Sequence, residues 1–225
     1  MTDLPHPPAP AALRTEDGRP LQLHRIFCVG RNYADHAREM GHDPEAEPPF
    51  FFMKPASAAV PSDLTLPFPA ATGQLEHEAE LAVLLGAGGA DIEPAQAEAL
   101  IWGCAAANDL TRRDLQAQAK AARRPWDMAK GFDASCILGP LREGPMPGPE
   151  ARITCDVDGI PRQEGALGQM IWPVSHVIAH LSRLVTLQPG DLILTGTPAG
   201  VGPIAPGQSC RVTIEGLEEA TVTYA

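Results

Sequence analysis

The sequence predicts a mixed, mainly β domain carrying a few short peripheral helices. Short β-branched or aromatic runs recur at 25–30, 50–53, 78–85, 101–108, 153–157, 191–195, 211–214 and 221–224, as strands do. Helical character is confined to four stretches, which do not alternate regularly with the strands. That argues against a doubly wound α/β fold. No glycine-rich dinucleotide fingerprint follows a strand, and neither a Walker loop nor an internal repeat is present.

Residues 1–19 are rich in Pro and Ala and are expected to form a flexible extension, with one domain over 20–225. The run RIFCVG at 25–30 reads as a strand ended by Gly30. A short helical pattern follows at 32–40, with Gly41 and Pro44 to end it. Residues 50–53 form the next strand, and 61–72 reads as a loop. The segment 78–85 alternates and then becomes wholly apolar, as a half-buried strand does. A helix over 94–100 leads into the apolar strand 101–108. Residues 112–122 form a surface helix, with Thr111 as N-cap and Pro125 beyond its end. The dipeptide Asp158-Gly159 marks a turn after 153–157. An amphipathic helix over 174–185 places Val174, Val177, Ile178, Leu181, Leu184 and Val185 on one face.

With 28 acidic against 17 basic side chains the net charge is -11. Such a chain repels phosphate backbones and anionic lipid, so nucleic acid and membrane are not expected as partners. No segment reaches the roughly 20 apolar residues of a membrane helix, and the first ten residues do not resemble a secretory signal. The five cysteines are odd in number and none form a CxxC pair. They read as small core residues of a protein in the reducing cytoplasm.

Within this frame a few side chains carry chemistry. Glu78 and Glu80 are two apart in a strand and project from one face, roughly 6.6 Å apart. A hard divalent cation relieves their repulsion, and oxygen ligands point to Mg²⁺, Mn²⁺ or Ca²⁺ rather than zinc. The competing reading is a solvated acidic edge. Asp109, at the mouth of an apolar strand, offers a third ligand or caps the next helix. Arg113 and Gln116, three apart, either hold a substrate carboxylate or form a solvated helix face. His36 and Glu39 share a helix face as a general base and its orienting carboxylate, or as a surface ion pair. Lys130, in the apolar setting of 128–132, stabilises a developing oxyanion or snorkels to the surface. In the stretch 195–202, Gly196 permits close backbone approach and Thr197 can donate to a carboxylate.

The order of these signals carries more than any one of them. Gly30-Arg31-Asn32-Tyr33-Ala34-Asp35-His36, Phe52-Met53-Lys54-Pro55, His77-Glu78-Ala79-Glu80-Leu81, Asp109-Leu110-Thr111-Arg112-Arg113-Asp114, Ala129-Lys130-Gly131-Phe132 and Leu194-Thr195-Gly196-Thr197-Pro198 together resemble the fumarylacetoacetate hydrolase family. The stretch through Met40 and the run Pro48-Pro49-Phe50-Phe51-Phe52 are most similar to its bacterial fumarylpyruvate hydrolases and acylpyruvases. The resemblance implies a β-sandwich roll and a homodimer. It implies Mg²⁺ or Mn²⁺ on Glu78, Glu80 and Asp109, with Ca²⁺ as a substitute. It makes His36 and Glu39 a catalytic pair on a lid and Lys130 a catalytic cation. Arg31, Tyr33, Arg113, Gln116, Gly196 and Thr197 become substrate-binding residues. Ala79 and Asn108 depart from the residues more usual in the family at those positions.

The implied reaction is hydrolysis of an acylpyruvate, a small anionic keto acid, to pyruvate and a carboxylic acid, which is fumarate when the substrate is fumarylpyruvate. Decarboxylation of oxaloacetate and isomerisation of an aromatic ring-cleavage product are the rival chemistries within the family. A catalytically silent β protein is the reading outside it.

Overall fold

The computed structural model describes residues 12–39 and 48–225. Residues 1–11 of the expected extension, and the helix-ending Gly41 and Pro44, lie outside the described residues. The larger of two main sheets has eight strands. Its path runs Phe50–Lys54, Arg25–Gly30, Asp191–Leu194, Ala79–Leu85, Ile101–Asp109, Cys136–Leu138 and Ala59–Pro61, with Arg142–Glu143 added beside Ile101–Asp109. Five more strands, in the order Ile160–Ala166, Arg152–Val157, Ser209–Ile214, Ala220–Tyr224 and Leu64–Leu66, make the second sheet.

Chain connectivity forces the larger sheet to curl. Lys54 ends one edge strand and Ala59 begins the other. Five residue steps reach at most about 18 Å, whereas the same seven-strand path laid flat spans roughly 29 Å. The curled sheet is therefore buried on both faces, and its strands read as continuous apolar runs. Phe27, Val29, Leu81, Val83, Cys104, Ala106 and Ile193 share one core with Ile153, Val157, Val212, Ile214 and Val222 of the five-stranded sheet. The alternate residues Ile26, Cys28, Ala82, Leu84, Ala105, Ala107, Leu192 and Leu194 form a second core. Apart from Leu13 and Leu141, every buried member of this second core comes from the curled sheet itself. The sheet covers its own concave side, and small Ala and Cys side chains suit that narrow interior.

Several expectations hold. The Asp158-Gly159 turn joins Arg152–Val157 to Ile160–Ala166 with φ of 53° and 75°, as a two-residue hairpin needs. All five cysteines are free and buried. Among the described residues, no helix is long and apolar enough to cross a membrane.

Other elements differ. Residues 12–19, assigned to the extension, pack on the domain: Leu13–Arg14 pairs with Pro20–Leu21, and buried Leu13 enters the inner core. The expected loop over 61–72 contains Leu64–Leu66, parallel to Ala220–Tyr224. Thr111 does not cap the following helix. It sits in the two-residue strand Thr111–Arg112, opposite Glu76, and its hydroxyl donates to Asp109 O at 3.1 Å. Asp114 instead accepts from the Leu115 backbone at the start of Arg113–Ala121. The helix at 174 stops at Ser182, leaving Leu184 69% exposed.

Candidate active site

The inner-face rows continue into a cluster of charge. Glu80 extends the row of Ala82 and Leu84, and Asp109 extends the row of Ala105 and Ala107. Glu78 lies just before Ala79–Leu85, in a break after Leu75–His77. It reaches Asp109 because the Asp109 backbone donates to Glu78 O at 2.9 Å. The three carboxylates are buried, with one oxygen from each lying within 4.8 Å of the others.

Cations offset two of the three. Lys130 Nζ donates to Glu78 at 2.7 Å and to Asp109 at 2.9 Å. Lys54, 1% exposed, pairs with Asp109 at 2.7 Å and donates to the Leu110 and Lys130 carbonyls. Arg113 joins Glu76 at 2.6 Å, Glu78 at 2.7 Å and Gln116 at 2.8 Å. Burial pulls the Glu78 carboxyl up, but Lys130 and Arg113 outweigh it and hold Glu78 well below the carboxylate range. Glu80 forms no ion pair among the described residues and accepts from Gly196 N at 2.7 Å, with Lys130 attracting it from beyond contact. Burial, then repulsion from Asp109 and Glu78, pushes its carboxyl well above the usual range. A buried oxygen-only donor set with one unrelieved carboxylate fits a hard divalent cation.

One cavity opens onto this cluster. Arg31, His36, Glu78, Glu80, Arg113, Gln116, Lys130 and Thr197 line it, together with Phe50, Phe52, Lys120 and Trp126. Most residues expected at a site therefore converge. His36, 6% exposed, sits on the helix Ala34–Glu39. Its Nδ1 lies 3.4 Å from Glu39 Oε2, which also accepts from the Gly200 backbone at 3.2 Å. With Nδ1–H directed at Glu39, Nε2 remains unprotonated for the cavity. Burial lowers the His36 pKa below its ordinary 6.5, against the pull of Glu78 and Glu39. The base form rises as pH passes the pKa, so if this imidazole is the general base, kcat/KM climbs along an acid limb centred below pH 6.5 and is flat at pH 7. A pH profile with an acid limb centred above 6.5 contradicts this.

Two expected substrate contacts do something else. Tyr33 is 2% exposed and belongs to the core between the sheets, where its main chain bridges Met170. Arg31, two residues before it, has φ of 56°, in the left-handed region. Gly196 uses its backbone N–H to hold Glu80. Its φ is 97°, and a Cβ there would lie 2.6 Å from Asn32 Cβ, so only glycine fits.

Other supports were not read from the sequence. Asn108 projects to the opposite face from Asp109. Its Oδ1 accepts from Glu78 N at 3.0 Å and its Nδ2 donates to Cys210 Sγ at 3.3 Å. Gln163 donates to the Thr197 hydroxyl at 2.7 Å and accepts from His77 and Ala79 N. Asn32 clamps Trp172 and Thr195 through three hydrogen bonds. The parity of Asn108, which sets it on the buried face opposite Asp109, was an available signal.

Residues 25–223 match the family model described as fumarylacetoacetate (FAA) hydrolase C-terminal. The fumarylpyruvate hydrolase of Pseudomonas aeruginosa, solved in complex with Mn²⁺ and pyruvate, superposes with a TM-score of 0.94 at 44% identity, covering 100% of this chain and 99% of that one. The mitochondrial oxaloacetate decarboxylase of Dictyostelium discoideum is 40% identical over 201 residues, 86% of this chain and 90% of that one. The mitochondrial oxaloacetate tautomerase FAHD1 of Mus musculus is 42% identical over 194 residues, 85% of this chain and 87% of that one. With the family's six motifs in register, a curled β-sheet and a convergent carboxylate triad, the chain belongs to the fumarylacetoacetate hydrolase family, whose members are metal-dependent enzymes.

Proposed function

We propose that this enzyme hydrolyses the carbon–carbon bond of an acylpyruvate, releasing pyruvate and a carboxylic acid. The observation that carries the reading is the buried His36, lining one cavity with Glu78, Glu80 and Lys130. Decarboxylation needs no activated water, whereas hydrolysis does, and a neutral imidazole oriented by a carboxylate supplies one.

Glu78, Glu80 and Asp109 would hold Mg²⁺ or Mn²⁺, and such an ion, when bound, supplies Lewis acidity to a carbonyl oxygen. The oxygen-only ligand set and the Mn²⁺ in the Pseudomonas aeruginosa relative support this pair of metals. His36 Nε2 takes a proton from water, and the hydroxide attacks the acyl carbonyl carbon. The bond from that carbon to the methylene then breaks, and its electron pair leaves as the enolate of pyruvate. Lys130 has three N–H donors, of which two bind Glu78 and Asp109. The third is left for the oxygen on which charge develops. Protonation of the enolate methylene completes pyruvate. Thr197, held by Gln163, and Gln116, held by Arg113, present polar atoms to the substrate carboxylate.

The relatives acting on oxaloacetate favour a second reading, in which the same residues stabilise an enolate of oxaloacetate. Pyruvate release from fumarylpyruvate, acetylpyruvate and oxaloacetate, each with Mn²⁺ and with EDTA, separates them. Hydrolysis predicts metal-dependent cleavage of both acylpyruvates. Turnover of oxaloacetate alone would replace this reading with the second. A homodimer in the cytoplasm is proposed on the family resemblance and on the five reduced thiols. Light scattering of the purified protein tests the dimer.

A further inference from the structure

We infer that Gln163 is a positioning residue that makes the Thr197 hydroxyl a fixed hydrogen-bond donor facing the cavity, so that this point of the site selects a ligand oxygen able only to accept. This rests on the reading that Thr197 meets the substrate carboxylate, and it names the residue that sets that contact.

Gln163 is the one buried residue of the strand Ile160–Ala166. A bulge lies beside it. Cys155 pairs with Gln163 and Asp156 with Pro161, so the register skips Arg162, and such an extra residue re-aims the side chains around it. The loop carrying Thr197 is seated directly on this strand. A Cβ on Gly200 would lie 2.2 Å from Arg162 O, and one on Gly165 would lie 3.0 Å from Pro198 Cβ. Glycine at both places lets the loop and the strand close up, which brings the Gln163 amide within reach of Thr197.

Both ends of that amide meet a group whose role is fixed. The Ala79 backbone N–H can only donate, and it lies 3.0 Å from Oε1. The Pro198 carbonyl can only accept, and it lies 2.8 Å from Nε2. The amide therefore has a single orientation. Oε1 takes a second hydrogen bond from His77 Nδ1 at 2.8 Å. Nε2 has two hydrogens: one goes to Pro198 O and the other to Thr197 Oγ1 at 2.7 Å. A carboxamide buried this deeply is tolerated because all four of its hydrogen bonds are made. The Thr197 oxygen is thus an acceptor toward Gln163, and its own proton must turn elsewhere. That proton goes to no group among the described residues, and Thr197 lines the cavity. It is set in advance for a carboxylate, whereas a ligand N–H or O–H placed there would meet a second donor. Ala79 stands between Glu78 and Glu80, so one side chain ties the strand of the carboxylate cluster to the loop of the substrate contact.

The test is a double-mutant cycle between Gln163→Met and Thr197→Val, read by calorimetry of pyruvate binding to Mn²⁺-saturated protein. Met fills most of the amide's volume without its hydrogen bonds, and Val removes the hydroxyl. Gln163→Met alone should weaken pyruvate binding about three- to tenfold, the range of one hydrogen bond. In the Thr197→Val background the same change should alter binding by less than about twofold, because no hydroxyl remains to be turned. Gln163→Glu repeats the cycle with a side chain of the same shape. It keeps the acceptor for Ala79 N but takes the Thr197 proton for itself, so alone it should cost about tenfold or more. In the Thr197→Val background it should cost clearly less. Equal losses in both backgrounds mean that Gln163 acts through packing, and they overturn the inference. So does a pyruvate affinity left unchanged by Gln163→Met or by Thr197→Val. Failure of the wild type to cleave either acylpyruvate sinks the hydrolase reading instead, while the pyruvate cycle still decides Gln163.

Discussion

Replacing His36 with Ala is expected to lower kcat for acylpyruvate hydrolysis by about 10²- to 10⁴-fold, the range typical of losing a general base. The imidazole lines the cavity beside Glu78 and Glu80, but the ligand set is made of three carboxylates only. Mn²⁺ affinity, measured by calorimetry, should therefore stay within a few-fold of wild type. Activity and metal binding separate in this variant, whereas loss of a ligand removes both. Glu39→Gln should cost less than His36→Ala, because its hydrogen bond to His36 is long at 3.4 Å and Glu39 is also held by Gly200 N. Decarboxylation of oxaloacetate, if the protein performs it, should fall far less than hydrolysis in His36→Ala. Undiminished cleavage of fumarylpyruvate by that variant would remove the base from the mechanism.

The sequence pattern located the carboxylate cluster better than it located the residues that support it. Glu78, Glu80 and Asp109 stand at the ends of long apolar strands, where a carboxylate is conspicuous, and the structure brings them together. His36, Lys130, Arg113, Gln116 and Thr197 lie in short motifs of unusual composition, and all five line the cavity. Lys54 entered the sequence reading only within the motif Phe52-Met53-Lys54-Pro55, one residue past the strand expected at 50–53. It is buried because that strand curls toward Ala59–Pro61, a consequence of connectivity that no local pattern contains. Gln163 belongs to Ile160–Ala166, a mostly exposed strand, and its partners Thr197 and His77 are far from it in sequence. Lys120 looked like the solvated end of a surface helix, and only Trp126 beneath it marks the cavity. Tyr33 misled in the opposite sense. It was assigned by resemblance alone, and its ring packs in the core between the sheets.

The same asymmetry of charge gives opposite signs to two substitutions in the triad. Asp109 is enclosed by Lys54 and Lys130, so Asp109→Asn leaves two buried ammonium groups short of a partner. Breaking a buried pair from one side costs about 3–5 kcal/mol, and the metal-free melting temperature should fall by roughly 6–20 °C for a chain of this size. Glu80 has no ion-pair partner among the described residues, and repulsion from Asp109 and Glu78 outweighs the more distant attraction of Lys130. Glu80→Gln keeps the acceptor for Gly196 N and removes the charge. In EDTA this variant should therefore melt a few degrees above wild type, a gain of about 1–3 kcal/mol. Added Mn²⁺ should raise the melting temperature of wild type strongly and that of Glu80→Gln little, because binding stabilises only the protein that can bind. Pyruvate release should drop in both variants. Thermal scans of the two variants, with EDTA and with Mn²⁺, compare the effects directly. If Glu80→Gln proved as destabilising as Asp109→Asn without metal, the uncompensated carboxylate would not be there, and the triad would lose its reason to gather a cation.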